Sequence, residues 1–187
     1  KTCAVNLSKM CNDLRLLSSG PKTGIGKINL PAKQNGSSIM PGKINPVIPE
    51  VVSQVAFNVI GNDLTITMAA EAGQLELNAF EPILFYNLFE SLETLSHAIS
   101  TLVDNCIIGI TANEDHCLEL LEEIVGITTA LCPYIGYKKS AEIAKSSLKT
   151  GIPIRKLVLK NGILTKEKLD SILNPDAMTN PKYISAS

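Results

Sequence analysis

The sequence lacks a strong charge of either sign and any long apolar run. Its formal net charge is −1, so there is no basic excess that would bind nucleic acid or an anionic membrane surface. No apolar stretch approaches the roughly 20 residues that a membrane-spanning helix requires. The first residues, Lys1-Thr2-Cys3, lack the basic, apolar and small-residue order of a signal peptide. We therefore expect neither a nucleic-acid partner nor a membrane partner.

Motifs for metal and nucleotide binding are also missing. Two histidines and five cysteines are present, and the irregular cysteine spacing, without Cys-x-x-Cys, argues against a zinc site. Free thiols suit a reducing compartment, so we expect a cytoplasmic protein. The runs 20–27 and 36–43 resemble a phosphate-binding P-loop, but each has five residues between its glycines instead of four, and Ile after its lysine. Nucleotide binding is therefore not expected.

What is present is an ordinary foldable composition. The chain has 187 residues, of which 45% are hydrophobic and 19% are charged. That length allows one good core and a second, smaller unit. The sequence begins without Met, and its first residues already follow a helical pattern, so we expect it to be a piece of a longer polypeptide.

The apolar periodicity predicts an all-α fold. Helices are predicted over 1–19, 48–72 and 79–108. The second of these is rich in β-branched residues, which favour strands, but its apolar positions repeat with a helical period over far too many residues for one strand. The third carries a heptad-like apolar seam suited to packing in a helical bundle, and Asn78 is predicted to cap its start.

After Gly109 the predicted helices become shorter and more polar. Asn113 is predicted to cap a helix, and residues 132–136 are predicted to form a turn. Further helices are predicted over 137–150, 153–161 and 165–173, followed by a loosely ordered tail. We therefore divide the chain into residues 1–112, part of a helical-bundle domain, and 113–187, a small helical C-terminal domain.

The stretch 36–46, Gly-Ser-Ser-Ile-Met-Pro-Gly-Lys-Ile-Asn-Pro, stands between two helical patterns. Two glycines, two prolines and an asparagine predict a loop. Its glycines allow backbone N–H groups to converge on an anion, while Lys43 adds a positive charge and Asn45 adds a donor and an acceptor. From these residues alone the stretch is either a mobile anion-binding loop or a Gly/Ser-rich connector.

This stretch resembles the signature loop of the fumarase/aspartase superfamily, with the pattern GSSxMPxKxN. The flanking runs 15–21, 28–32, 68–78 and 162–165 resemble the aspartase branch more than the fumarases. The resemblance covers nearly the whole chain and corresponds to the C-terminal part of the superfamily's polypeptide. One departure is Asn35, where the superfamily has Pro before the glycine.

The resemblance implies a lyase that reversibly converts L-aspartate to fumarate and ammonia without a cofactor or a metal. Ser37 would be the general base, with Ser38 as the second candidate, and Lys43 and Asn45 would bind the substrate carboxylate. Glu50 would orient a histidine that lies outside this chain. The remaining loop positions that match the pattern are Gly36, Met40, Pro41 and Gly42.

Two alternatives to an aspartase stay open. One is a fumarase, which interconverts L-malate and fumarate, and the other is a non-catalytic helical oligomerisation module that retains the motif. The resemblance further implies a homotetramer whose active sites form where three subunits meet. Because most substrate-binding groups come from earlier motifs, we expect the 187-residue chain alone to be inactive.

Overall fold

A computed structural model of the chain describes residues 1–20, 23–34, 36, 39–40 and 42–179. The chain divides into two compact units, one formed by Lys1–Asn113 and the other beginning at Glu114. The described part is predominantly helical and contains one two-stranded sheet, which confirms the predicted all-α class.

Three long helices build the first unit. They are α1 (Thr2–Leu17), α2 (Val47–Glu71) and α3 (Glu81–Asn105), and α2 packs against both of the others. The helical period therefore outweighs the strand propensity of the β-branched residues in α2. The largest apolar cluster buries five side chains from these helices and from the residue after α3: Cys11, Val52, Ala98, Leu102 and Cys106.

The predicted apolar seam of α3 is divided between two faces. The face of α3 that is buried within the unit carries mostly small and polar side chains, namely Asn87, Ser91 and Ala98, together with Leu102. Asn62 of α2 donates hydrogen bonds to Glu90 Oε2 at 3.0 Å and to Ser91 Oγ at 3.1 Å, so a polar cluster joins the two helices. A second face of α3, which carries most of the large apolar side chains, is exposed.

A two-stranded antiparallel sheet was not predicted. The strands are β1 (Ile28–Asn29) and β2 (Thr111–Ala112), with Ile28 opposite Ala112 and Asn29 opposite Thr111. Two residues per strand are too few for an alternating apolar pattern, so the sequence gives no periodic signal. The sheet ties the segment that leads to the 36–46 loop to the segment that follows α3.

The described part of the second unit, residues 114–179, contains six α-helices: α4 (Glu114–Glu123), α5 (Thr128–Ile135), α6 (Tyr137–Thr150), α7 (Ile154–Lys160), α8 (Lys166–Ile172) and α9 (Pro175–Thr179). They surround one apolar cluster that includes Leu131, Val158 and Leu169, all of them fully buried. Arg155 of α7 forms ion pairs with Glu122 of α4 and Asp170 of α8.

Two residues predicted to bound helices in this unit, Gly151 and Thr165, do so in the structure. Gly151 ends α6 with a φ of 68°, a left-handed conformation that glycine adopts without strain. Thr165 caps α8 by accepting a hydrogen bond from the backbone N–H of Lys168 at 3.3 Å. These local signals fix the helix boundaries to within about one residue.

Three local predictions were wrong. Residues 132–136 do not form a turn, because α5 continues through Pro133 to Ile135; a proline in the last helical turn costs only one backbone hydrogen bond. A loosely ordered tail was predicted from Asp176, but its first residues belong to a further helix, α9, which ends at Thr179; residues 180–187 lie outside the described residues. Asn78 does not occupy the N-cap of α3, which falls on Phe80. Instead Asn78 donates to the Ala69 carbonyl and accepts from the Phe80 N–H, which ties together the turn between α2 and α3.

No helix among the described residues has the length and apolar character needed to cross a membrane.

Candidate active site

Three of the predicted site residues, Ser37, Ser38 and Pro41, lie outside the described residues. The described members of the loop are Gly36, Ile39, Met40 and residues 42–46. They define how the loop begins and ends.

The loop closes on a short neck. The Gly36 N–H donates to the Lys43 carbonyl at 2.7 Å, and Asn45 Nδ2 donates to the Gly36 carbonyl at 3.3 Å. A Cβ built on Gly36 would lie 2.3 Å from the Lys43 carbonyl oxygen, so a side chain does not fit there. The neck therefore brings together three predicted residues, Gly36, Lys43 and Asn45, and explains why the first of them is glycine.

A tight turn lies immediately before Lys43, whose carbonyl closes the neck. Gly42 has a φ of +82°, and the Lys43 N–H donates to the Met40 carbonyl at 3.2 Å. The side chains of Met40 and Lys43 are both exposed. The turn thus presents the Lys43 ammonium to solvent at the base of the loop, where an incoming anion can reach it.

The loop leads directly into the N-terminus of α2. Pro46 occupies the N-cap position, where no side chain caps the helix, and the helix extends for 25 residues from Val47. The positive end of a helix dipole attracts anions, and a nearby lysine adds to that attraction. The described part of the loop therefore combines two features that attract anions, Lys43 and the N-terminus of α2, within one short segment.

Glu50 lies in the first turn of α2, but its ion-pair partner belongs to another element. Arg15, in the last turn of α1, places Nη2 3.5 Å from Glu50 Oε1. Both side chains are partly exposed, at 42% and 35%. The sequence did not identify Arg15 as the partner, because the two residues belong to separate helices and share no local pattern.

The segment upstream of the loop is held from two sides. On one side, the N–H groups of Gly26 and Lys27 donate to the carbonyls of Ser19 and Leu17, at 2.7 and 2.9 Å, and thus to the end of α1. On the other side it pairs with β2, and a polar contact between Asn29 and Asn113 extends that pairing. These contacts fix the approach to Gly36.

A groove of ≈ 340 Å³ lies near Glu50. It is lined by residues of α2 and α3: Val51, Gln54, Val55, Asn58 and Thr94. This lining carries no charged side chain, so the groove is poorly suited to a dicarboxylate. The neck of the loop, with Lys43 and a helix N-terminus, remains the stronger candidate for the binding of an anion.

Within the described residues, no group of three His, Cys, Asp or Glu side chains could hold a metal ion. All five cysteines are free, and Cys11 and Cys106 are buried. Burial, followed by the neighbouring Cys106 thiol, raises the pKa of Cys11 to about 11, and burial also raises the pKa of Cys106. These two thiols are therefore unreactive core groups rather than nucleophiles.

Comparison with known families matches both ends of the chain. Residues 1–61 match a family described as "Lyase", and residues 127–180 match one described as "Fumarase C C-terminus". Curated aspartate ammonia-lyases are 50–59% identical over 97–98% of this chain. One of them, from Helicobacter pylori, is 59% identical over 181 residues, which cover 97% of this chain and 39% of the relative.

Solved structures share the fold. A fumarate lyase:delta crystallin from Brucella melitensis, bound to cobalt, matches with a TM-score of 0.90 and 52% identity, covering 96% of this chain and 39% of that one. A class II fumarase from Schistosoma mansoni matches with a TM-score of 0.85 and 37% identity, covering 96% and 38%. The chain thus spans less than two fifths of the length of these relatives.

Proposed function

Because this chain belongs to the fumarase/aspartase superfamily, we propose that it is part of a lyase that reversibly deaminates L-aspartate to fumarate and ammonia. The observation that carries the proposal is the 50–59% identity to aspartate ammonia-lyases over nearly the whole chain. The unaltered GSSxMPxKxN loop supports it, since a purely structural module would not need the loop's serine, lysine and asparagine.

In the proposed mechanism, Ser37 removes the proton from Cβ of aspartate, with Ser38 as the second candidate. A serine hydroxyl is a weak base in water and becomes effective only where N–H groups, a helix terminus and cations stabilise its alkoxide. The loop glycines, the N-terminus of α2 and Lys43 supply groups of these kinds. The proton leaves first, and ammonia then leaves from the neighbouring carbon.

Lys43 and Asn45 are proposed to hold the carboxylate on which charge collects after proton removal. That intermediate resembles an enediolate, and it places the negative charge where Lys43 and the helix N-terminus already attract anions. The substrate carboxylate itself accepts the electrons, so the step needs no cofactor. Glu50 is proposed to orient a histidine from outside this chain, while Arg15 at 3.5 Å steadies the Glu50 carboxylate.

Assembly is the second part of the proposal. One exposed face of α3 carries large apolar side chains at alternating spacings of four and three: Phe85, Phe89, Leu92, Ile99 and Val103, with Ser96 in the series. Phe57, Leu64 and Met68 form a similar exposed stripe on α2, where they are 58–64% exposed. Such faces require a partner in water. We propose that they pack in the helical core of a homotetramer, in the cytoplasm.

In this proposal the first unit is the C-terminal part of the central helical bundle, and the second unit is the small C-terminal domain. Active sites would form only where subunits meet. The isolated 187-residue chain should therefore release no fumarate from aspartate.

The test of the reaction uses the full-length protein that carries this chain. Supplied with L-aspartate, it should release fumarate and ammonia in equal amounts. The variant Ser37→Ala should lower kcat by about 10²–10⁴-fold, the usual contribution of a general base. Ser171→Ala, at an exposed position of α8, is the matched control and should leave kcat unchanged. If the Ser37→Ala enzyme were active, the general base would be Ser38 or a group outside the loop.

The second candidate reaction is the hydration of fumarate to L-malate. It is favoured by the match of residues 127–180 to the fumarase C C-terminus and by the similarity to the Schistosoma mansoni fumarase. Its lower identity, 37% against 50–59% for the aspartate ammonia-lyases, places it second. Release of fumarate from malate but not from aspartate would establish it instead.

A further inference from the structure

We propose that Asn29 and Asn113 are positioning residues that hold the N-terminal stem of the signature loop. They belong to a clamp, defined here as residues 26–31 together with residues 109–113. The proposal rests on the proposed function, because the catalytic part of its test follows lyase activity. The clamp itself is an observed set of contacts between segments 82–87 residues apart in sequence.

The two asparagines contact each other and the backbone. Asn29 Nδ2 donates to Asn113 Oδ1 at 2.6 Å, and Asn113 Nδ2 donates to the Gly26 carbonyl at 2.6 Å. The Asn113 N–H also donates to the Lys27 carbonyl at 2.9 Å, which extends the β1–β2 pairing by one bond. Asn113 is therefore bound through both its side chain and its backbone.

Two further contacts join the two segments of the clamp. Asn29 Nδ2 also donates a hydrogen bond to Thr111 Oγ1 at 3.3 Å. A Cβ built on Gly109 would lie 2.4 Å from Pro31 Cγ, so the segment after α3 lies against residue 31 with no room for a side chain. This packing fixes the stem up to two residues beyond β1.

The clamp matters because the two stems of the loop are supported unequally. The C-terminal stem passes through Asn45 and Pro46 straight into α2, a helix of 25 residues. The described residues of the N-terminal stem form no helix, and residues 32–34 lead from the clamp toward the neck at Gly36. A displacement of about 1 Å in a catalytic group can cost about 10²-fold in rate. Weakening the clamp should therefore misplace Ser37 and lower kcat while leaving KM nearly unchanged.

The experiment compares Asn113→Ala, Asn29→Ala and the double variant in the full-length protein. Asn161→Ala, at an exposed position in the second unit, is the matched control. Hydrogen–deuterium exchange over residues 30–46 should rise about tenfold in Asn113→Ala, without an equal rise in α1, α2 or α3. The kcat for aspartate should fall about tenfold, and KM should change less than about threefold. The double variant should match Asn113→Ala within about twofold, because the two side chains act as one unit.

Two outcomes would overturn the proposal: unchanged exchange over 30–46, or exchange that rises equally throughout the first unit. If Asn113→Ala does not fold, Thr111→Val takes its place, since it removes only the 3.3 Å bond to Asn29, and a two- to threefold rise in exchange over 30–46 is expected. The exchange measurement needs no substrate. A native protein without activity on aspartate would contradict the proposed function, and the clamp would still be decided by exchange.

Discussion

The two units of this chain bury their apolar residues to very different extents. The second unit encloses a cluster of fully buried large side chains, such as Leu131 and Leu169, within its short helices. The first unit has three long helices, yet its main cluster consists largely of small side chains, and Phe57, Leu64 and Phe89 are each 60% exposed or more. The second unit has the core of an independent domain, whereas the first has faces that another chain or segment must cover.

This difference shows what apolar periodicity does and does not report. A helical period predicts that a helix has an apolar face, but it does not say what covers that face. In α3 the buried side chains are Asn87, Ser91, Ala98 and Leu102, whereas most of the large apolar side chains of this helix are exposed. A helix of this kind is typical of a bundle completed by association.

The largest expected effect tests the exposed face of α3. Phe89→Asp should weaken self-association of the full-length protein at least about a hundredfold, because an unpaired carboxylate would be buried in an apolar contact. Sedimentation velocity would follow the change in mass. Tyr137→Asp, at a position that is 81% exposed in the second unit, is the control and should leave the assembly intact. Equal masses for Phe89→Asp and the native protein would show that this face has another role.

The next effect tests the core of the second unit. Leu169 is fully buried, and Leu169→Ala should lower the free energy of unfolding of this unit by about 2–5 kcal/mol through lost burial and the cavity left behind. Leu148, 73% exposed, is the matched position, and Leu148→Ala should cost less than about 0.5 kcal/mol. Urea unfolding followed by circular dichroism would measure both. Similar values for the two variants would contradict a closed core in this unit.

A smaller effect is expected in the pH dependence of the free energy of unfolding of the first unit. Burial and the adjacent Cys106 thiol raise the pKa of Cys11 from 9.0 to about 11, so the folded first unit keeps a proton that the unfolded chain loses. Its free energy of unfolding should be unaffected below about pH 9 and fall as the pH rises toward 11, by at most about 2–3 kcal/mol. Urea titrations across that range would measure the slope. Cys11→Ala should reduce it, and an unchanged slope in that variant would assign the pH dependence to other groups.

The features that could be predicted from the sequence are those determined by residues close together in the chain. The predicted and observed bounds of the helix over 137–150 agree because its apolar period, the glycine before it and the glycine after it all lie within 16 residues. The signature motif predicts Gly36, Lys43 and Asn45 as site residues, and the structure brings these three together.

Contacts between distant segments could not be predicted. Asn29 and Asn113 meet across 84 residues, and neither stands in a pattern that marks its partner. Arg15 and Glu50 likewise belong to separate helices. At Pro133 a local signal was misleading. The proline and the following glycine predict a turn, but α5 continues through Pro133 and packs in the core of the second unit. The roles of Ser37 and Ser38 remain predictions.

The most direct test supplies L-aspartate and L-malate separately to the full-length protein and follows the appearance of fumarate from each. We predict fumarate from aspartate, with one ammonia released for each fumarate, and none from malate. Fumarate from malate alone would contradict the assignment to the aspartase branch. The absence of fumarate from both substrates, in a folded tetramer, would contradict the proposed activity and favour a structural role for this chain.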